Sequence, residues 1–63
     1  MLLKLRQLRK AKKLTQEELA RRSGITRQTI SMIERQEAPS VTTTVLVKLA
    51  NALGEKVGNL FSD

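Results

Sequence analysis

Apolar residues recur along this chain at helical intervals. In "LLKLRQLRKAKK" Leu2, Leu5 and Leu8 return every three residues and share one face, predicting a first helix. Arg9 falls on that same apolar side, at about 100° per residue. Thr15 followed by Glu18 has the spacing of a capping box, the signature of a helix start. In that second helix Leu19 and Ala20 face inward, and Gly24 ends it by permitting a left-handed backbone. Thr26 caps a third helix that opens at Arg27 and runs to about Arg35. "QEAPS" reads as a loop: Pro39 forbids continuation, and Ser40 or Thr42 caps a fourth helix over about Thr43 to Leu53. That helix carries Leu46, Leu49, Ala50 and Leu53 at i, i+3, i+4 and i+7. Gly54 ends it, and "KVGNLF" forms one last short turn. "VTTTV" has strand-like residues, but a lone strand has nothing to pair with. The expectation is an all-α chain, a compact bundle of about five short helices in one domain over residues 1–63.

The third helix divides most sharply. Arg27, Gln28, Ser31, Met32 and Arg35 fill one arc of roughly 140°, and Thr29, Ile30, Ile33 and Glu34 fill the other. Glu34 is thus a charge on a core-facing arc, as Arg9 is in the first helix. An unpaired buried charge is very costly. The two predict either a buried Arg9–Glu34 pair tying the helices together, or two long side chains reaching solvent separately. On the outer arc, arginine and glutamine carry forked groups suited to guanine O6/N7 and adenine N6/N7, and Met32 suits a thymine methyl. A solvated charged face is the bland reading of that arc taken alone.

Charge changes the picture. Twelve Lys and Arg against six Asp and Glu give +6. Residues 1–35 hold ten basic and three acidic residues, a net of +7, and residues 36–63 hold two and three, a net of −1. A basic excess confined to one part of the chain fits an electrostatic footprint on a polyanion. Cysteine and histidine are absent. That removes disulfides, thiolate metal sites, the usual general base and the commonest metal ligand. An enzyme is therefore the weakest reading, and neither cofactor, metal nor small-molecule ligand is expected. No apolar run approaches the ~18 residues of a membrane span. The leucines and charges of the first sixteen residues interleave, unlike a signal peptide. These features predict a soluble cytoplasmic protein.

A short capped helix, a turn at "SGIT" and a second helix with a polar outer face, all inside a basic segment, make a helix-turn-helix. "LTQEELARRSGITRQTISMIERQEAPS" followed by "LVKLANALG" resembles the Cro/cI-type, lambda-repressor-like (XRE) helix-turn-helix proteins of bacteria and phages. The resemblance spans nearly the whole chain. It implies a homodimeric, sequence-specific double-stranded DNA-binding transcriptional regulator, a repressor acting on a palindromic operator. It further implies base reading by Arg27, Gln28 and Met32 with Ser31 beside them, and a phosphate contact from Gln16, with Arg35 near the backbone. Thr26 and Lys10 join these as expected backbone contacts. The family pattern also supports the Arg9–Glu34 pair. Where the family often has a glycine and basic residues after the third helix, this chain has "RQEAPS", with Glu37 of the opposite charge. Val47, Val57, Leu60 and Phe61 are the candidate dimer surface, with core completion the competing role for Leu60 and Phe61. The rival readings are an antitoxin or adaptor that binds another protein through its C-terminal helices, and an RNA-binding bundle, which a sole aromatic at Phe61 serves poorly.

Overall fold

The computed structural model describes residues 2–36 and 41–62. Strand β1 (Leu2–Leu3) leads into α1 (Leu5–Ala11), α2 (Gln16–Ser23), α3 (Arg27–Glu34) and α4 (Thr43–Leu53). A 3₁₀ turn (Val57–Leu60) and strand β2 (Phe61–Ser62) follow. The expected loop at Glu37, Ala38 and Pro39, and the alternative cap Ser40, lie outside the described residues.

Three threonines open three helices. Thr15 Oγ1 accepts from the Glu18 amide, and the Glu18 carboxylate accepts from the Thr15 amide, both at 3.0 Å. This reciprocal box satisfies two otherwise orphaned donors of α2. Thr26 Oγ1 accepts from the Thr29 amide and Thr42 Oγ1 from the Val45 amide, each at 3.2 Å. Gly24, at φ +76°, closes α2 with its amide bonded to the Ala20 carbonyl. That left-handed conformation is one a glycine adopts without the clash a Cβ brings. It turns the chain directly from α2 into α3.

α2 packs on both α3 and α4, and α1 lies against α3. The core between them is Leu5, Leu14, Leu19, Ile30, Ile33, Leu49, Ala50, Leu53 and Leu60. Leu46, expected inward, is half-buried at its margin, as is Ala20. Fully burying one such leucine or isoleucine contributes about 1.5–3 kcal/mol, so these few side chains carry most of the stabilisation available to a short chain.

Two features differ from the sequence-based expectation. Helix α1 begins at Leu5, and Leu2 stands in β1 rather than on the apolar face of α1. Leu2 pairs with Ser62 and Leu3 with Phe61 in a two-stranded antiparallel ladder. The Lys4 amide extends the connection by donating to the Leu60 carbonyl at 2.8 Å. The partner strand lies about sixty residues away, so a local periodicity has no means of registering it. The bundle is otherwise helical, with four α-helices among the described residues.

Candidate nucleic-acid interface

The site rests on how α3 is held. Ile30 and Ile33 are buried in the core, and Arg27 and Gln28 are exposed on the opposite arc. Ser31 and Met32 are half-buried beside them. Arg35 is the exposed C-cap of the helix. The α3 surface thus presents a fork-bearing arginine and glutamine, a hydroxyl and a thioether along one stripe, on a helix fixed from behind.

The fixing is polar as well as apolar. Arg9 Nε donates to Glu34 Oε2 at 2.6 Å and Arg9 Nη2 to Oε1 at 3.0 Å. Arg9 Nη1 donates to the Leu14 carbonyl at 2.7 Å. Gln16 Nε2 donates to Glu34 Oε1 at 3.0 Å. The Glu34 side chain is only 4% exposed, and no buried polar side-chain atom among the described residues lacks a partner. One carboxylate therefore joins α1, the start of α2 and the end of α3. Burial pushes the Glu34 carboxyl up, but the hydrogen bonds from Arg9 and Gln16 and the positive charges of Arg9 and Arg6 outweigh it. The net effect holds Glu34 below its ordinary value, as a charged acceptor. The Arg9 guanidinium moves the complementary way, raised by its bond to Glu34 against the cost of burial. Such a bidentate pair fixes orientation more than it adds stability.

The expected contact residues lie as follows. Gln16 is half-buried at the first position of α2, its amide nitrogen engaged with Glu34. Thr26 is exposed, and its hydroxyl both caps α3 and donates to Thr29 Oγ1 at 2.9 Å. Lys10 is exposed on α1. At the C-terminal end Val47 is 40% exposed, and Val57 and Phe61 are half-buried. Leu60 is only 1% exposed and belongs to the core. The expectation that it lies on a dimer surface gives way to its competing role in core completion, because the 3₁₀ turn places its side chain in the core cluster.

Two connections carried no signal in the sequence. The Leu14 carbonyl that receives Arg9 is backbone and has no side-chain signature. Gln36 donates from its side-chain amide to the Leu3 carbonyl at 2.7 Å, joining the end of α3 to β1. A third link, Lys12 Nζ to Glu55 Oε2 at 3.2 Å, connects the end of α1 to the turn after α4.

The helix-turn-helix family model matches residues 5–59. The chain belongs to the helix-turn-helix family. Within it, this is a Cro/cI-type (XRE) member and a DNA-binding transcriptional regulator. Among solved structures, the helix-turn-helix fold is similar to that of the restriction-modification controller protein C.AhdI from Aeromonas hydrophila. The TM-score is 0.86 at 42% identity, over 90% of this chain and 85% of that one. No curated protein matches. Among the described residues, no helix of this family member is long and apolar enough to cross a membrane.

Proposed function

We propose that this chain is a homodimeric, sequence-specific reader of double-stranded DNA that represses transcription by occupying a palindromic operator. The observation that carries the reading is α3: Arg27, Gln28, Ser31 and Met32 line its outer side, and its other side is locked by Ile30, Ile33 and the Glu34 network. A rigidly backed helix with forked side chains outward is what major-groove reading requires. The basic residues of the first three helices supply a salt-sensitive, sequence-independent attraction to phosphates. Lys10, Gln16, Thr26 and Arg35 are the backbone contacts in this reading. Dimerisation through Val47, Val57 and Phe61 sets two copies of α3 about 34 Å apart, one turn of the duplex. Likeness to a restriction-modification controller supports an operator beside restriction-modification genes as the target.

Selection of bound duplexes from a random pool, followed by salt titration, tests the reading. A short palindrome with half-sites about one helical turn apart is the expected product. Equal binding to every duplex would sink the specificity claim, and copurification with an unrelated chain through the C-terminal face would favour an adaptor instead.

A further inference from the structure

Arg9 alone satisfies both oxygens of the Glu34 carboxylate, yet Gln16 adds a third donor to Oε1 at 3.0 Å. A glutamine amide has a donating end and an accepting end, and an ionised carboxylate accepts only. One of the two amide orientations is therefore excluded: flipped, the Gln16 oxygen would face the carboxylate oxygen at hydrogen-bonding distance. With the nitrogen held against Glu34, its second proton and the amide oxygen have no partner among the described residues. Among the described residues no buried polar side-chain atom lacks a partner, so the unpartnered amide oxygen of half-buried Gln16 reaches solvent, and the second proton lies on the nitrogen beside it.

We infer that Glu34 is a positioning residue for DNA-backbone recognition: its carboxylate holds the Gln16 amide so that the free N–H is presented to a phosphate oxygen. This rests on the proposed reading in which α3 enters the groove and Gln16 faces the backbone. Glu34 lies two residues beyond Met32 on α3, so one buried carboxylate sets both the end of the base-reading helix and the phosphate donor. Base contact and phosphate contact then keep a fixed offset along the duplex. A merely structural role for Glu34 would stabilise the fold without fixing the direction of the second N–H on the Gln16 amide nitrogen.

The test uses the full chain and the duplex recovered by selection, mapped by phosphate ethylation interference. In the unaltered protein each half-site has a phosphate whose ethylation blocks binding and whose signal vanishes in Gln16→Ala, with affinity down about tenfold for a hydrogen bond to a charged group. Glu34→Asp keeps the charge facing Arg9 but withdraws the carboxylate from Gln16. It should erase the same phosphate signal and leave the others. Combined with Gln16→Ala it should weaken binding no further, the signature of two residues acting as one unit. Retention of that signal in Glu34→Asp, or additive losses in the double variant, would overturn the inference. Should Glu34→Asp fail to fold, the two Gln16 side-chain amide protons of the unaltered protein decide by NMR. One should shift on adding duplex while the other stays; no shift in either overturns the inference. Absence of any duplex binding by the unaltered protein would overturn the DNA reading itself, and this inference with it.

Discussion

The side-chain amide of Gln36 donates to the carbonyl oxygen of Leu3 at 2.7 Å, linking the end of α3 to β1. Gln36 makes this bond from a left-handed backbone, φ +58°, and Lys13 after α1 adopts nearly the same conformation at φ +59°. For a residue with a Cβ that conformation costs roughly 1–2 kcal/mol, which glycine avoids at some cost in unfolded-state entropy. Lys13→Gly should therefore stabilise the fold by about 0.5–1 kcal/mol. Gln36→Gly gains the same relief but loses a hydrogen bond with a net value of about 0.5–1.5 kcal/mol, so it should gain nothing or lose. Urea midpoints of the two variants measure the difference. Equal gains would mean that the Gln36–Leu3 bond contributes nothing.

The helical framework was legible because its signals are local. Thr15 with Glu18, Thr26 and Thr42 each announce a cap three residues ahead, and each makes that bond. The Arg9–Glu34 pair was legible for a different reason: each charge sits on an apolar arc, and two opposite charges so placed have few partners. What was not legible depends on contacts distant in sequence. Leu2 continues the leucine spacing of α1, but a two-residue ladder to Phe61–Ser62 holds it in a strand. Leu60 reads equally as surface or core until the 3₁₀ turn is seen to direct it inward. For Gln16 the family resemblance implied a phosphate contact, and only the structure brings its side-chain amide against Glu34.

Removing one member of the buried pair should cost far more than removing both. Arg9→Met leaves a nearly inaccessible carboxylate with Gln16 as its remaining side-chain donor, a loss of about 3–5 kcal/mol. A chain of this size has roughly 3–9 kcal/mol in total, so much of the single variant should be unfolded at room temperature. Arg9→Met with Glu34→Leu should recover most of the loss. It should still fall about 1–3 kcal/mol short, because the Leu14 carbonyl loses its donor in both variants. Thermal melts followed by circular dichroism separate the cases; a double variant no better than the single would refute the desolvation argument.

Acid should destabilise the protein chiefly through Glu34. Its folded value lies below the ordinary one, so its contribution is fully present above the ordinary carboxylate range and is lost as pH falls through the depressed value. Two half-buried carboxylates nearer the surface share the sign. Glu18 is lowered by the backbone bond from Thr15, and Glu55 by the side-chain bond from Asn59 and then by Lys12. About 0.5 M salt should weaken these two contributions more than that of Glu34, whose side chain is the more deeply buried. Urea unfolding across pH at low and high salt is the measurement. An acid limb abolished by salt would place the linkage at the surface instead.

Val47 and Leu60 should fail in opposite ways. Val47 is 40% exposed and Leu60 is 1% exposed. In the proposed dimer, Val47→Glu should shift the chain towards monomer while changing the monomer's own stability by no more than about 0.5 kcal/mol, so any fall in melting temperature should shrink as the protein is diluted. Leu60→Ala should cost about 2–5 kcal/mol through the cavity it opens, whatever the oligomeric state. Sedimentation beside thermal melts distinguishes them. A Val47→Glu variant that still sediments as a dimer would remove α4 from the interface.

Base reading and phosphate attraction should separate between α3 and α1. Arg27 and Gln28 are exposed on α3, and Lys10 is exposed on α1. In the proposed docking, Arg27→Ala or Gln28→Ala removes a groove contact and should cost on the order of 1–3 kcal/mol on the preferred site. The loss should concentrate at one or two base pairs, so that substituting those pairs no longer weakens the variant. Lys10→Ala removes a positive charge near the backbone. It should weaken all duplexes alike and reduce the salt slope by about 1 for each phosphate that is no longer neutralised. Competition binding against single-base operator variants at several salt concentrations measures both effects together. If Lys10→Ala altered base preference, or Arg27→Ala weakened every duplex equally, the division of roles between the two helices would be wrong.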